Sequence, residues 1–319
     1  MDPSAPSVAA VRPVILDCDP GHDDALAIAL AVVRRELDVL AITTVAGNAG
    51  LAATTRNAGR VLALLGRDDI PVAAGADRPL VREPWIPVEF HGESGLDGAD
   101  LPEPARPPVD VTAVELTTRL LRAASEPVTL IATGPLTNIA LLLHAAPGLR
   151  ERVDSISLMG GSLGAGNTTA SAEYNIWADP EAADTVFRSG IPIRMAGLDV
   201  THQALMLPAD VARLEGLGNR AGLVFADLMR FFAIHHRDRY GWEGPPVHDA
   251  VAVAWLLDPG LVDSRRLRVD VEVGDGLTRG RTVADPEGLA GQPPNAEVGL
   301  TVDREGLMDL IVDAVGRVR

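Results

Sequence analysis

The sequence predicts an α/β protein: a mostly parallel, doubly wound, Rossmann-like sheet flanked by helices, with a small antiparallel extension near the C-terminus. Apolar runs of strand length alternate with helix-length patterns through most of the 319 residues, as in successive βαβ units. The first run, Val14–Leu16, is apolar throughout, as a strand buried on both faces must be. The polar residues that stand out follow the carboxyl ends of such runs, where open α/β sheets gather their ligands.

Residues 1–12 read as a flexible tail and 13–319 as one domain, since no composition break marks a linker. After Val14–Leu16, Pro20-Gly21 ends the strand, and the apolar positions from Ala25 to Val33 suit a helix. Asp38–Val45 is a second strand, Leu51–Leu65 a helix stopped by Gly66, and Pro71–Ala74 a short strand. From Arg82 to Pro108 the chain is rich in Pro, Gly and acids, which predicts a functional loop or lid. Val111–Ala124 is a helix, Val128–Thr133 a strand, Leu136–His144 a helix and Ser155–Met159 a strand. A Gly-rich loop then runs to Asn175, followed by a helix over Pro180–Ser189 and a strand over Ile193–Ala196. Pro208–Leu217, Arg220–His235 and Val251–Leu257 read as helices. Leu267–Val273, Thr278–Ala284 and Glu297–Val302 read as strands, with a last helix over Glu305–Val315.

Composition excludes several functions. A formal charge of -16 leaves no basic face for nucleic acid or an anionic membrane, and no apolar stretch approaches spanning length. Cys18 is the only cysteine, so no intramolecular disulfide can form, and a reducing compartment is permitted. Met1–Arg12 has no secretory pattern, so a cytoplasmic location is expected. There is no lysine, which rules out Schiff-base chemistry and a lysine-bearing phosphate loop.

The chain is organised around Asp17-Cys18-Asp19-Pro20-Gly21-His22-Asp23-Asp24. Asp17 and Asp19 share one side of an extended segment, and Asp23 and Asp24 fall in a helix's first turn. Four carboxylates so close repel one another unless a cation sits among them. All-oxygen donors point to a hard ion, calcium or magnesium. A solvated acidic turn with one Asp capping the helix is the alternative.

Asn48, Thr133 and the loop from Gly160 to Asn175 also follow strand ends and can converge on the same edge. Asn167, Glu173 and Asn175 offer two amides and a carboxylate, a set suited to sugar hydroxyls, although loop capping uses the same residues. Gly161–Gly166 is glycine-rich, but its order differs from the dinucleotide fingerprint. Asp249, before an apolar helix, can equally be a plain N-cap. His91 taken alone reads as a surface histidine rather than a catalytic one.

These residues resemble the inosine-uridine preferring nucleoside hydrolases. The resemblance rests on Asp17–Asp24, Ala41–Asn48, Thr133–Asn138, Met159–Gly161, Asn167 with Ala172–Asn175, Gly197–His202 and Val247–Asp249, in order along the chain. It implies hydrolysis of the N-glycosidic bond of ribonucleosides through a calcium-activated water, in purine and pyrimidine salvage. Asp19, Asp24, the Thr133 carbonyl and Asp249 would be the calcium ligands, with Asp19 also the base for the attacking water. Asp23, Asn48, Asn167, Glu173 and Asn175 would hold the ribose, and His248 would face the leaving base with His91 nearby. Purine-restricted relatives place tryptophans near the two histidine positions, so histidines imply the broader inosine-uridine type, with Trp85, Trp177 and Trp242 available for stacking. The family also implies a homodimer or homotetramer. The stretch Asp238–Pro246 departs from the family's pattern and bears on base preference.

Two other readings compete. A haloacid-dehalogenase-like phosphohydrolase also carries Asp-x-Asp after a strand, but it wants Thr or Val where Gly21 stands, and a lysine that this chain lacks. A non-catalytic, calcium-dependent nucleoside- or sugar-binding protein would bind without turnover.

Overall fold

The computed structural model describes residues 11–318; most of the expected N-terminal tail, residues 1–10, lies outside the described residues. Strand β1 (Arg12–Cys18) already begins within the stretch read as tail. It leads through Gly21 into α1 (His22–Val33), then β2 (Leu37–Thr44), α2 (Leu51–Leu64) and β3 (Val72–Ala74). The Pro-rich segment that follows carries only a short helix, α3 (Val88–His91). Next come α4 (Ala113–Ala123), β4 (Val128–Ala132), α5 (Thr137–Ala145) and β5 (Val153–Met159). The Gly-rich loop ends in α6 (Tyr174–Ala178), followed by α7 (Pro180–Phe187), β6 (Ile193–Ala196) and α8 (Leu198–Thr201). Helices α9 (Pro208–Gly216), α10 (Arg220–Tyr240) and α11 (His248–Leu257) precede β7 (Val262–Val271), β8 (Thr282–Asp285), β9 (Ala296–Val302) and α12 (Arg304–Gly316).

The strands form one 9-stranded sheet in the order β3-β2-β1-β4-β5-β6-β9-β7-β8. Every pairing from β3 to β9 is parallel, and β7 pairs antiparallel with both β9 and β8, so the expected C-terminal extension is present. β7 starts earlier than its apolar pattern suggested, because Asp263–Arg266 face solvent on the edge hairpin and break the apolar run.

Helices cover both faces. Val14, Leu16 and Cys18 of β1 pack into a core shared with α1, α2, α10, α11 and α12, while Ile15 packs into the opposite core with α4, α5 and α7. This alternation explains why the first strand has no polar residue between Val14 and Leu16. Helix α1 is buried on every side from His22 to Val32, so it must be apolar all round after its two aspartates. Its alanines let α11 and α12 lie close against it.

Helix α10 runs on beyond His235 to Tyr240 and stops at Gly241, whose φ of 69° is left-handed. Arg237–Tyr240 face solvent, so the added turn carries no apolar signal, but nothing in its sequence breaks a helix before the glycine.

Candidate active site

The chain leaves β1 for β2 and β3 on one side, then returns to place β4 on β1's other side. At such a switch point the loops leaving neighbouring strands run in opposite directions and open a crevice at the carboxyl edge. The loop after β1 carries Asp19, Asp23 and Asp24, and the residue after β4 is Thr133. Both therefore lie at the mouth of that crevice, as the strand-end argument predicts.

Asp24 closes the start of α1 by accepting a hydrogen bond from the Gly21 N–H at 2.9 Å. It also accepts from the Thr133 hydroxyl at 2.8 Å and the Asn48 amide at 3.2 Å. Oxygens of Asp23, Asp24 and Asp249, all buried, lie within 4.8 Å of one another. Asp249 occupies the first turn of α11 rather than its cap, because the helix already begins at His248. Asp19 is fully buried beside them, with Oδ2 accepting from the Asn48 N–H at 2.8 Å and Oδ1 left without a hydrogen-bond partner among the described residues. Asp17 stands apart from this group: the Asn138 amide at 2.8 Å and the Thr43 hydroxyl hold its Oδ1.

Burial raises the pKa of these carboxyls, to about 7 for Asp23 and about 6 for Asp24. Burial followed by repulsion from neighbouring aspartates pushes Asp19 and Asp249 well up. Converging buried carboxylates plus one orphaned oxygen are a donor set that a hard divalent cation satisfies, and the cation would return the group to its ionised form.

Above this floor opens a cleft lined by Asp23, Asn48, Thr133 and Asp249. Asn167, Glu173 and Asn175 form one wall. Glu173 caps α6, accepting from the backbone N–H groups of Gly161, Asn175 and Ile176 at 2.9, 2.9 and 3.2 Å, so capping and site roles coincide in one residue. Burial raises its carboxyl to about 7. Asn175 donates to the carbonyls of Thr133 at 2.8 Å and Met159 at 3.1 Å, which spends its amide hydrogens and leaves Oδ1 for a ligand. Asn167 Oδ1 accepts from the Tyr174 N–H at 3.0 Å.

His91 and His248 also line the cleft, and burial drives the pKa of both well down, which favours their neutral forms. His91 is buried and not a surface residue. Its ring rests so closely on the β1–α1 turn that a Cβ at Gly21 would lie 2.6 Å from its Nδ1. The ligand, ribose and base residues that the family resemblance implies thus meet at one place, with Asp19 and Asp24 beneath the cleft and the others lining it, whereas Asp17 does not join them.

Sequence reasoning missed His22, Thr201, His202, His236 and Tyr240. The last three line the cleft with Trp85 and Trp242, whereas Trp177 stands behind Trp85 with ring centroids 5.5 Å apart. The signal for His236 and Tyr240 lay in helical spacing along α10, which the predicted helix end at His235 concealed.

Fold and cleft define an α/β enzyme with an acidic centre at the carboxyl edge of a parallel sheet. The chain belongs to the inosine-uridine preferring nucleoside hydrolase family, whose model matches residues 14–309, and it is a ribonucleoside hydrolase. It is 52% identical over 305 residues to the pyrimidine-specific ribonucleoside hydrolase RihA of Shewanella sp. (strain ANA-3), covering 95% of this chain and 96% of that protein. With RihA of Escherichia coli (strain ATCC 8739) it shares 52% identity over 302 residues, covering 94% and 97%. Among solved structures, the purine-preferring ribonucleoside hydrolase from Gardnerella vaginalis superposes with a TM-score of 0.90 at 32% identity, covering 96% and 98%. Among the described residues, no helix is long and apolar enough to cross a membrane.

Proposed function

We propose that the protein is a calcium-dependent hydrolase of pyrimidine ribonucleosides, releasing the free base and ribose. The observation that carries the cation is the buried carboxylate group at the switch point with its orphaned Asp19 Oδ1. Its all-oxygen chemistry suits calcium. The pyrimidine preference rests on the identity to RihA proteins.

Asp19, Asp24, Asp249 and the Thr133 carbonyl would hold the ion, and Asp23 is near enough to share it or to take a ribose hydroxyl. When bound, calcium lowers the pKa of water and can hold the sugar's diol. Asp19 is the general base: its Oδ2 is fixed by the Asn48 N–H while Oδ1 remains to accept a proton from the attacking water. Asn48, Asn167, Glu173 and Asn175 orient the ribose. Glu173 and the aspartates beneath the cleft stabilise the positive charge that develops on the sugar as the bond to the base breaks. His248 takes up a second proton from solvent and passes it to the departing base, returning to the neutral ring, and the aromatic groups lining the cleft surround that base. Attack from the face opposite the base gives inversion at the anomeric carbon.

The test is exhaustive chelation followed by calcium add-back, with uracil release from uridine as the readout. Loss and recovery of turnover supports the assignment; full activity in verified metal-free protein refutes it.

A further inference from the structure

The hairpin of β7 and β8 lines none of the cleft, yet it holds from behind three segments that do. The Gly-rich loop is tied near its start, where the Thr282 hydroxyl donates to the Ser162 carbonyl at 2.7 Å and accepts from the Ser162 N–H at 2.8 Å. Near its end the Ser171 hydroxyl donates to the Leu277 carbonyl at 3.3 Å. Helix α6 is tied at Trp177, whose ring centroid lies 4.4 Å from the Arg279 guanidinium carbon. Gly280, at a left-handed φ of 77°, lies so near that a Cβ there would stand 2.6 Å from Trp177 Cα. The third segment is the irregular stretch 75–87 after β3, and Arg82 anchors it. Its Nε donates to Glu181 of α7 at 2.8 Å, its Nη2 to the Val273 carbonyl at 2.8 Å, and its Nη1 to Asp275. Val273 and Asp275 belong to the turn of the hairpin. Two residues upstream of Arg82, the Leu80 N–H donates to the buried Asp179 carboxylate at 2.9 Å.

These ties fix Trp85, which lines the cleft. Tyr174 donates its N–H to Asn167 Oδ1 at 3.0 Å and its hydroxyl to the Trp85 carbonyl at 3.1 Å, so Asn167 and Trp85 flank one tyrosine. The Trp85 ring meets those of Tyr174 and Trp177 at centroid distances of 5.9 and 5.5 Å. The histidines belong to a separate group. His202 meets Trp242 and His248 at 5.0 and 5.6 Å, and His236 meets Trp242 at 5.9 Å; among the described residues no ring of that group meets Trp85. A ribonucleoside with its 2′,3′-diol edge on the acidic floor and its base among the histidines has one end left, the 5′-carbon. The part of the cleft left for it is closed by Asn167, Tyr174 and Trp85.

We infer that Trp85 is a specificity-determining residue that closes the cleft against substituents on the ribose 5′-carbon, and that Arg82 is the positioning residue that fastens it to the β7–β8 hairpin. These roles deepen the ribonucleoside hydrolase reading and rest on the ribose orientation given above. A free 5′-hydroxyl fits, whereas a 5′-ether must displace the indole. Tyr174 and Trp177 back that ring, so room for the extra atoms comes only from moving the 75–87 stretch, which Arg82 and Leu80 tie down. The antiparallel extension of the sheet thus frames the sugar end of the cleft.

The test uses the full chain supplied with calcium and two ligands that differ by one methyl group, pseudouridine and its 5′-O-methyl ether. Pseudouridine joins sugar and base by a carbon–carbon bond, so calorimetry reads binding without turnover. The native protein should bind the ether at least about tenfold more weakly, the scale of forcing extra atoms into a filled space. Trp85 is 43% exposed, so its replacement leaves the core intact. Trp85→Ala should bring the two affinities within about threefold of each other while weakening pseudouridine itself. Arg82→Ala should narrow the ratio part of the way and raise KM for uridine more than it lowers kcat, a split that a general loss of folded protein does not produce. Equal affinities in the native protein overturn the proposal, as does an unchanged ratio in Trp85→Ala. An unchanged ratio in Arg82→Ala overturns the positioning role. Should Arg82→Ala not fold, Arg82→Lys is read in its place, since lysine keeps the charge beside Glu181 but lacks the fork that also reaches the hairpin. Binding of neither ligand would remove the ribose orientation and the proposal with it. Uridine hydrolysis is followed in parallel: an inert protein with the expected ratios would refute the hydrolase function alone, and an active one with equal affinities would refute the role of Trp85 alone.

Discussion

Replacing Gly47 with alanine perturbs the proposed cation site without touching a polar group. A Cβ at Gly47 would stand 1.9 Å from Asp19 Oδ2, where ordinary contacts begin near 3.4 Å. Gly47 has no left-handed backbone, so the conflict is purely one of space. The Asp19 carboxylate must move by about 1.5 Å, and Gly134, whose own Cβ would lie 2.7 Å from Oδ1, closes the other side. Calcium–oxygen bonds span only about 2.3–2.6 Å, so a shift of that size removes Asp19 from coordination and from alignment with water. Misplacement by about 1 Å can cost on the order of 10² in rate. We expect Gly47→Ala to lose at least about 10² in kcat/KM for uridine and to bind calcium measurably more weakly by chelator competition. Gly50→Ala is the control from the same loop, since its Cβ would meet nothing nearer than Ile86 Cδ1 at 3.9 Å, and it should match the native enzyme. Native calcium affinity and turnover in a folded Gly47→Ala protein would refute the placement of Asp19.

Three further outcomes are expected. His248→Ala should lower kcat on uridine by roughly 10²–10⁴ yet keep most activity on a p-nitrophenyl riboside, whose leaving group needs little protonation; equal losses on both would withdraw the proton-donor role. Removing the 2′-hydroxyl should cost far more than changing the base, by factors on the order of 10⁴ in favourable cases, and comparable kcat/KM for uridine and 2′-deoxyuridine would contradict the ribose pocket. Burial raises Asp23 and Glu173 to about 7 and Asp24 to about 6 in the fold, from 3.8, 4.5 and 3.8. The folded state therefore keeps protons that the unfolded chain has released, and stability conferred by their neutral forms is lost as pH rises through about 6–7. Thermal unfolding of chelated protein should fall in Tm between about pH 5.5 and about pH 8, with calcium restoring most at the higher pH; a chelated protein more stable at the higher pH would contradict this.

The sheet was legible because a parallel strand covered on both faces needs apolar residues on both, and β1 and β4 keep that pattern over Val14–Leu16 and Leu130–Ala132, while β2 and β5 keep it toward their carboxyl halves. The edge was less so: half-exposed β7 carries Asp263–Arg266 outward and loses its alternation there. The aspartates of the site were legible because four carboxylates in eight residues have no cheap structural explanation. What the sequence did not separate was Asp17 from the rest. Two-residue spacing puts Asp17 and Asp19 on one side, but Thr43 and Asn138, from β2 and α5, claim Asp17. The contacts of His22 and Thr201 were illegible for a related reason, since their side-chain partners, His91 and His248, lie 69 and 47 positions away. A histidine after Pro-Gly reads as a helix residue until the 92–97 turn is seen to fold back onto it.

The most direct test of the account is free-base release by the purified protein with calcium, measured in parallel for uridine, cytidine and inosine. The account predicts equimolar base and ribose, fastest from the pyrimidine nucleosides, and no base once calcium is removed. Stoichiometric binding of uridine with no release of uracil would contradict it.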